Sequence, residues 1–126
     1  MKYRSTSKNK NLVDFKEALF QGLAPDGSLF IPNKTPNYRL KNYYNDFYSI
    51  AIDIIYPYVK ENISIKELEI LCKDSFNFKV PLKNIEENIY ILELFHGPTL
   101  AFKDFAARLL ARLFSLLNKN KLTILV

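Results

Sequence analysis

Apolar residues at positions 40, 43, 44, 47, 50, 51, 54, 55 and 58 lie on one face of an α-helix over several turns. Pro57 is expected to disturb the last of these turns. A second helix is predicted from Ser64, which forms a capping box with Glu67 and is followed by Ile65, Leu68, Leu71, Cys72 and Phe76 on one side. A shorter helix opens at Asp14, with Glu17 three positions on, and stops near Gln21 and Gly22. Residues 3–6 and 29–31 read as short strands. The second follows a Pro25-Asp26-Gly27 turn and ends at Pro32.

Beyond residue 76 the pattern changes. Residues 77–88 read as a polar connection containing Pro81, and 89–95 as a β-rich run. A helical face follows at 102, 105, 106, 109, 110, 113, 114, 116 and 117, and 122–126 form a nearly uninterrupted apolar stretch. Strand, helix and apolar strand make one βαβ unit, and a fully apolar second strand implies a parallel sheet covered on both faces. One such unit cannot cover itself. The expected fold class is therefore α/β. Residues 1–80 would form a small, mainly helical module, and residues 81–126 the first βαβ unit of an incomplete doubly wound domain.

Composition narrows the function classes. One cysteine, Cys72, and one histidine, His96, exclude an internal disulfide and a zinc site built on such ligands. Cys72 reads as a small buried hydrophobe, because no activating partner is evident nearby. The 18 Lys and Arg against 13 Asp and Glu leave a net charge of +5, which suits an anionic ligand. The lysines are scattered, with no stripe interleaved with aromatics, so nucleic-acid binding is the weakest of the readings. No apolar stretch has the length of a membrane-spanning helix, and the first residues lead into polar sequence where a signal peptide would place its apolar region. The expectation is a cytoplasmic protein without a membrane partner.

The chemistry concentrates in the run Glu93-Leu94-Phe95-His96-Gly97-Pro98-Thr99-Leu100-Ala101-Phe102-Lys103-Asp104-Phe105. It joins the end of a strand to the start of a helix, where ligand sites of open α/β sheets collect. With Thr99 as N-cap, Lys103 falls in the first helical turn, where a cation opposes the helix dipole. Sheltered by Phe95, Phe102 and Phe105, such a lysine would favour the neutral, nucleophilic amine that attacks an aldehyde. Spacing alone reads it as a solvated surface charge. His96 reads as a loop-fixing residue rather than a general base, and Asp104 as an acid favouring the helix N-terminus. Arg108 and Arg112 read as a solvated helix face before an anionic subsite.

The string HGPTLAFKD, residues 96–104, resembles the pyridoxal-phosphate attachment segment of threonine synthases. Residues 2–6, 15–18 and 22–32 are similar, in order and spacing, to the N-terminal module of the same family. The resemblance implies that residues 81–126 begin a pyridoxal-phosphate-binding catalytic domain of fold type II. It also implies that Lys103 is both the cofactor-binding and the catalytic residue, holding pyridoxal 5′-phosphate as an aldimine. The enzyme implied is a carbon–oxygen lyase of threonine biosynthesis, converting O-phospho-L-homoserine and water to L-threonine and phosphate. Length departs from the family: 126 residues, with glycines only at 22, 27 and 97, hold no glycine-rich phosphate loop. The expectation is an N-terminal fragment, inactive alone, with room for a complementary C-terminal chain. The rival expectation is a non-catalytic remnant or interaction module of that family.

Overall fold

A computed structural model describes residues 1–7, 11–39, 44, 46–118 and 120–123. The chain is mixed α and β and divides into two compact units, Met1–Glu69 and Ile70–Val126. The division between these units falls inside a helix.

In the first unit, β1 (Tyr3–Ser5) lies between β2 (Leu12–Val13) and β3 (Phe30–Pro32) in an antiparallel sheet, with Tyr3 opposite both Val13 and Pro32. Tyr3 and Ser5 are buried and Arg4 between them is exposed, the period-two alternation of a half-covered strand. β2 was not legible in the sequence, because two residues are too few to set a period. Helix α1 (Phe15–Gln21) is capped by Asp14, whose carboxylate accepts the Glu17 N–H at 2.8 Å. Gly22 ends it at φ 69°, a conformation that a Cβ would strain, and donates its N–H to the Ala18 carbonyl. The Pro25 turn is fastened to β1 through the buried Ser5 hydroxyl, 2.7 Å from Asp26 Oδ2 and 2.6 Å from Ser28 Oγ.

Helix α2 (Phe47–Val59) opens at Asp46, which accepts the Ser49 N–H at 2.8 Å. Its expected start at residue 40 lies outside the described residues, apart from Tyr44, which is not helical. Pro57 stays inside the helix, and Lys60 still donates to the Tyr56 carbonyl. The Tyr3 hydroxyl donates to the carbonyl of Tyr58, one of the last-turn acceptors a helix leaves open. Burial, with Tyr58 and Glu61 nearby, pushes the Tyr3 phenol up to about 12. Helix α3 (Ile65–Ser75) begins with the expected capping box: Ser64 N–H donates to Glu67 Oε2 at 2.8 Å, and Glu67 N–H donates to Ser64 Oγ at 3.3 Å. Val59, Ile63 and Leu68 are the most deeply buried apolar side chains of this unit.

The second unit departs further from expectation. Residues 77–88 are not merely a connection. They contain β4 (Leu82–Glu86), which pairs antiparallel with β5 (Ile89–Leu92) across a turn where Asn88 takes φ 64°. Lys and Asn interrupt the apolar alternation of β4, which hid it. Every residue of both strands is exposed, including Leu82, Ile85, Ile89, Tyr90, Ile91 and Leu92. Among the described residues β5 has an antiparallel neighbour and no parallel one. Of the expected second parallel strand, Leu122 and Thr123 are not in a strand, and 124–126 lie outside the described residues.

Helix α4 (Lys103–Leu117) follows, with Leu113 buried. Phe105 meets Phe76 at 6.1 Å and Phe78 at 5.0 Å between ring centroids, the latter edge to face. Cys72 is fully buried, and burial pushes its thiol up to about 11, in keeping with an inert core residue. The Ser75 hydroxyl is buried and has no hydrogen-bond partner among the described residues.

Two predictions follow from these contacts. An unpartnered buried hydroxyl costs more than it contributes, so Ser75→Ala should stabilise the chain by about 1 kcal/mol in urea unfolding. A loss of stability would mean that the hydroxyl is satisfied. Several carboxyls are held below their ordinary range: Asp14 by the Glu17 amide, Glu67 by the Ser64 hydroxyl and Asp74 by the Arg112 guanidinium. Depressed folded-state values contribute stability that is present above the unfolded value of about 4 and lost as pH falls through the folded value. The urea midpoint should therefore be lower at pH 3 than at pH 6, and Glu67→Gln should narrow that gap.

Candidate functional site

The loop between β5 and α4 is held at both ends. Glu93 N–H donates to the Pro81 carbonyl at 2.9 Å, closing the hairpin, and the Glu93 carboxylate lies 2.6 Å from His96 Nε2. The His96 ring also rests against Phe95, with centroids 4.7 Å apart. His96 thus ties the loop to the strand end, as the sequence suggested. Leu100 N–H then turns back to the Gly97 carbonyl at 3.0 Å, and Leu100 takes φ 58° while remaining 74% exposed. A γ-branched residue in the left-handed region without burial is held there by its neighbours.

The neighbour is Asp104. Its carboxylate is buried and accepts two bonds from one residue, the Thr99 N–H at 2.9 Å and the Thr99 hydroxyl at 2.8 Å. Gly97 is pressed against the same side chain. A Cβ there would sit 2.3 Å from Asp104 Oδ2, so only glycine fits. Thr99 is therefore not the N-cap. Phe102 occupies that position and makes no side-chain capping bond, and the threonine instead donates to a carboxylate in the first turn. Nothing in the apolar periodicity signals this link; the relevant spacing is Gly-x-Thr followed by Asp five residues after the threonine.

Lys103 is the first residue of α4 and is exposed. Among the described residues it has no ion-pair or hydrogen-bond partner. The expected aromatic shelter is not built by these residues. Phe95 is 52% and Phe102 65% exposed, and Phe105 is engaged with Phe76 and Phe78. Lys103 and Asp104 are consecutive and separated by about 100° around the helix, so burying one presents the other.

Arg108 and Arg112 are not a solvated face. Arg108 Nε donates to the Ser75 carbonyl at 2.8 Å, and its Nη2 to the Asp74 carbonyl and to Asn77 Oδ1, each at 2.9 Å. Its guanidinium lies 5.9 Å from the Phe78 ring centroid. Arg112 pairs with the Asp74 carboxylate and donates to the Arg108 carbonyl. Arg108 thus satisfies the open carbonyl end of α3 and Arg112 pairs with the acid beside it, so both are engaged in holding α4 to the last turn of α3. No group of metal-ligating side chains and no helix long and apolar enough to span a membrane occurs among the described residues.

A family model described as "Threonine synthase N terminus" matches residues 2–76. The chain is 37% identical, over 126 residues, to the threonine synthase of Buchnera aphidicola subsp. Baizongia pistaciae, covering 96% of this chain and 29% of that protein. The PLP-bound threonine synthase from Brucella melitensis superposes with a TM-score of 0.84 at 33% identity, over 93% of this chain and 27% of that one. The threonine synthase from Escherichia coli gives 0.85 at 32% identity, over 93% and 28%. The chain thus spans less than a third of the length of the relatives it matches. The match over residues 2–76 and the identity across nearly the whole sequence establish that this chain belongs to the threonine synthase family.

Proposed function

We propose that this chain is the lysine-bearing N-terminal portion of a threonine synthase, converting O-phospho-L-homoserine and water to L-threonine and phosphate once completed by a C-terminal portion. The observation that carries the reading is the placement of Lys103: exposed, unpartnered among the described residues, and first in a helix whose entry loop is fastened by Asp104. In this reading residues 1–80 are the N-terminal module and 81–126 open the catalytic domain, of fold type II. A cytoplasmic location goes with the same reading.

The residues present fit half of the cofactor. A free primary amine at a strand-to-helix loop fits the aldehyde of pyridoxal 5′-phosphate, whereas no glycine-rich loop exists in this sequence to cradle its phosphate. When bound, the cofactor supplies an electron sink for carbanionic chemistry at the substrate. Lys103 Nζ would be the group that holds its aldehyde, and the same Nζ, when free, would move protons among the substrate's α, β and γ carbons. The γ-carbon–oxygen bond breaks with departure of phosphate, and water adds its hydroxyl at the β carbon. The first turn of α4 fixes where Nζ can reach, and the C-terminal portion would supply the phosphate contacts and exclude water.

A second reading, a non-catalytic remnant or interaction module, draws on the exposed apolar hairpin at Leu82, Ile85 and residues 89–92, which suits pairing with another chain. Both readings are separated by completing the enzyme. The chain is combined with the C-terminal portion of a relative such as the Buchnera protein, pyridoxal phosphate is added, and the imine is trapped with borohydride and located by mass spectrometry. Lys103 should be the dominant modified residue, and Lys103→Ala should lower threonine formation by about a hundredfold or more while leaving the circular dichroism spectrum unchanged. The chain by itself should not turn over. Trapping at another lysine, or undiminished turnover by Lys103→Ala, would overturn the assignment.

A further inference from the structure

We infer that Asp104 is the positioning residue of the attachment site: by clamping Thr99 across the loop it sets where the adjacent Lys103 enters space. The inference rests on the assignment of Lys103 above, and adds to it a role for the acid that follows the lysine.

The geometry is unusual for an acid in the first turn of a helix. Such a residue ordinarily faces solvent, near the open amides of its own helix. Asp104 is only 5% exposed and spends both carboxylate oxygens on Thr99, five residues earlier, one oxygen on the amide and the other on the hydroxyl. Among the described residues no cation balances it. Burying a carboxylate in this way is costly unless its bonds are well formed, and two donors from a single residue form a short, stiff ring. The segment it closes, 99–104, contains Leu100 in its left-handed conformation, and the Asp104 side chain leaves no room for a Cβ at 97. Pro98, Leu100 and Phe102 stay exposed around its rim.

The consequence for Lys103 is geometric. α4 has no side-chain N-cap of its own, so its first turn would fray without an outside restraint. Asp104 supplies that restraint one residue after the lysine, and the helical rotation then directs Lys103 away from the buried side. Reactivity of a positioned amine depends on such placement, since displacement by about 1 Å can cost a hundredfold in rate.

Two measurements test this. In the chain itself, the Thr99 amide should exchange slowly with solvent, and Asp104→Ala should raise that rate at least about tenfold without altering exchange in α2. In the completed enzyme, borohydride trapping is expressed as the ratio of label on Lys103 to label on the exposed Lys83, which reports placement rather than folding. Asp104→Ala should lower that ratio by about tenfold or more, and Asp104→Asn, which can still accept the Thr99 amide proton, should recover most of it. If Asp104→Ala does not fold, Thr99→Val, which removes only the hydroxyl donor, should lower the ratio by a smaller factor. An unchanged ratio in a folded Asp104→Ala or Thr99→Val chain that still labels Lys103 overturns the positioning role alone. Wild-type label on a different lysine overturns the attachment assignment, and this inference with it.

Discussion

Removing a carboxylate from water constrains everything around it, because its oxygens must find donors close by. Asp104 meets that constraint with the amide and hydroxyl of Thr99, and the rest of the loop is arranged to permit it: glycine at 97, a left-handed Leu100, and a helix that begins without a side-chain cap. The side chain one position earlier is then obliged to project outward. A local electrostatic requirement thereby becomes a statement about where an amine stands.

The second unit rests on a comparable arrangement at its other end. Arg108 and Arg112 reach from α4 to the last turn of α3, Arg108 occupying carbonyls that the helix itself leaves open and Arg112 pairing with the Asp74 carboxylate. Phe105 packs against both Phe76 and Phe78, and the Arg108 guanidinium lies over the Phe78 ring. Helix α4 is thus fixed along one side by charge-assisted hydrogen bonds and ring contacts, while its first residue and the β4–β5 hairpin stay open to water. Such an exposed apolar hairpin is rare in a self-contained domain and fits a chain that spans less than a third of its relatives.

What could be read from sequence followed the reach of the interactions involved. The α1 cap at Asp14, the α3 capping box and the Pro25 turn depend on residues within three or four positions, and the structure has them as expected. β2 is too short to set a period and Lys83 and Asn84 interrupt the apolar alternation of β4, so neither strand shows in the pattern; the parallel pairing expected of the 89–95 run is absent among the described residues. The role proposed for Lys103 rests on the resemblance of residues 96–104 to a known segment, since spacing alone reads it as a surface charge. Its physical rationale needed revision, since the flanking phenylalanines do not shelter it. Asp104 and the two arginines were read as ordinary helix-surface charges, because burial and long-range carbonyl contacts leave no mark on spacing.

The most direct test of the central claim is growth without added threonine of a strain lacking its own threonine synthase, in which this chain is co-expressed with the C-terminal portion of a relative. Growth should be restored by the chain with Lys103 and not by Lys103→Arg, which keeps the positive charge but cannot attach the cofactor. Equal growth with arginine at that position, or none with lysine, would contradict the account.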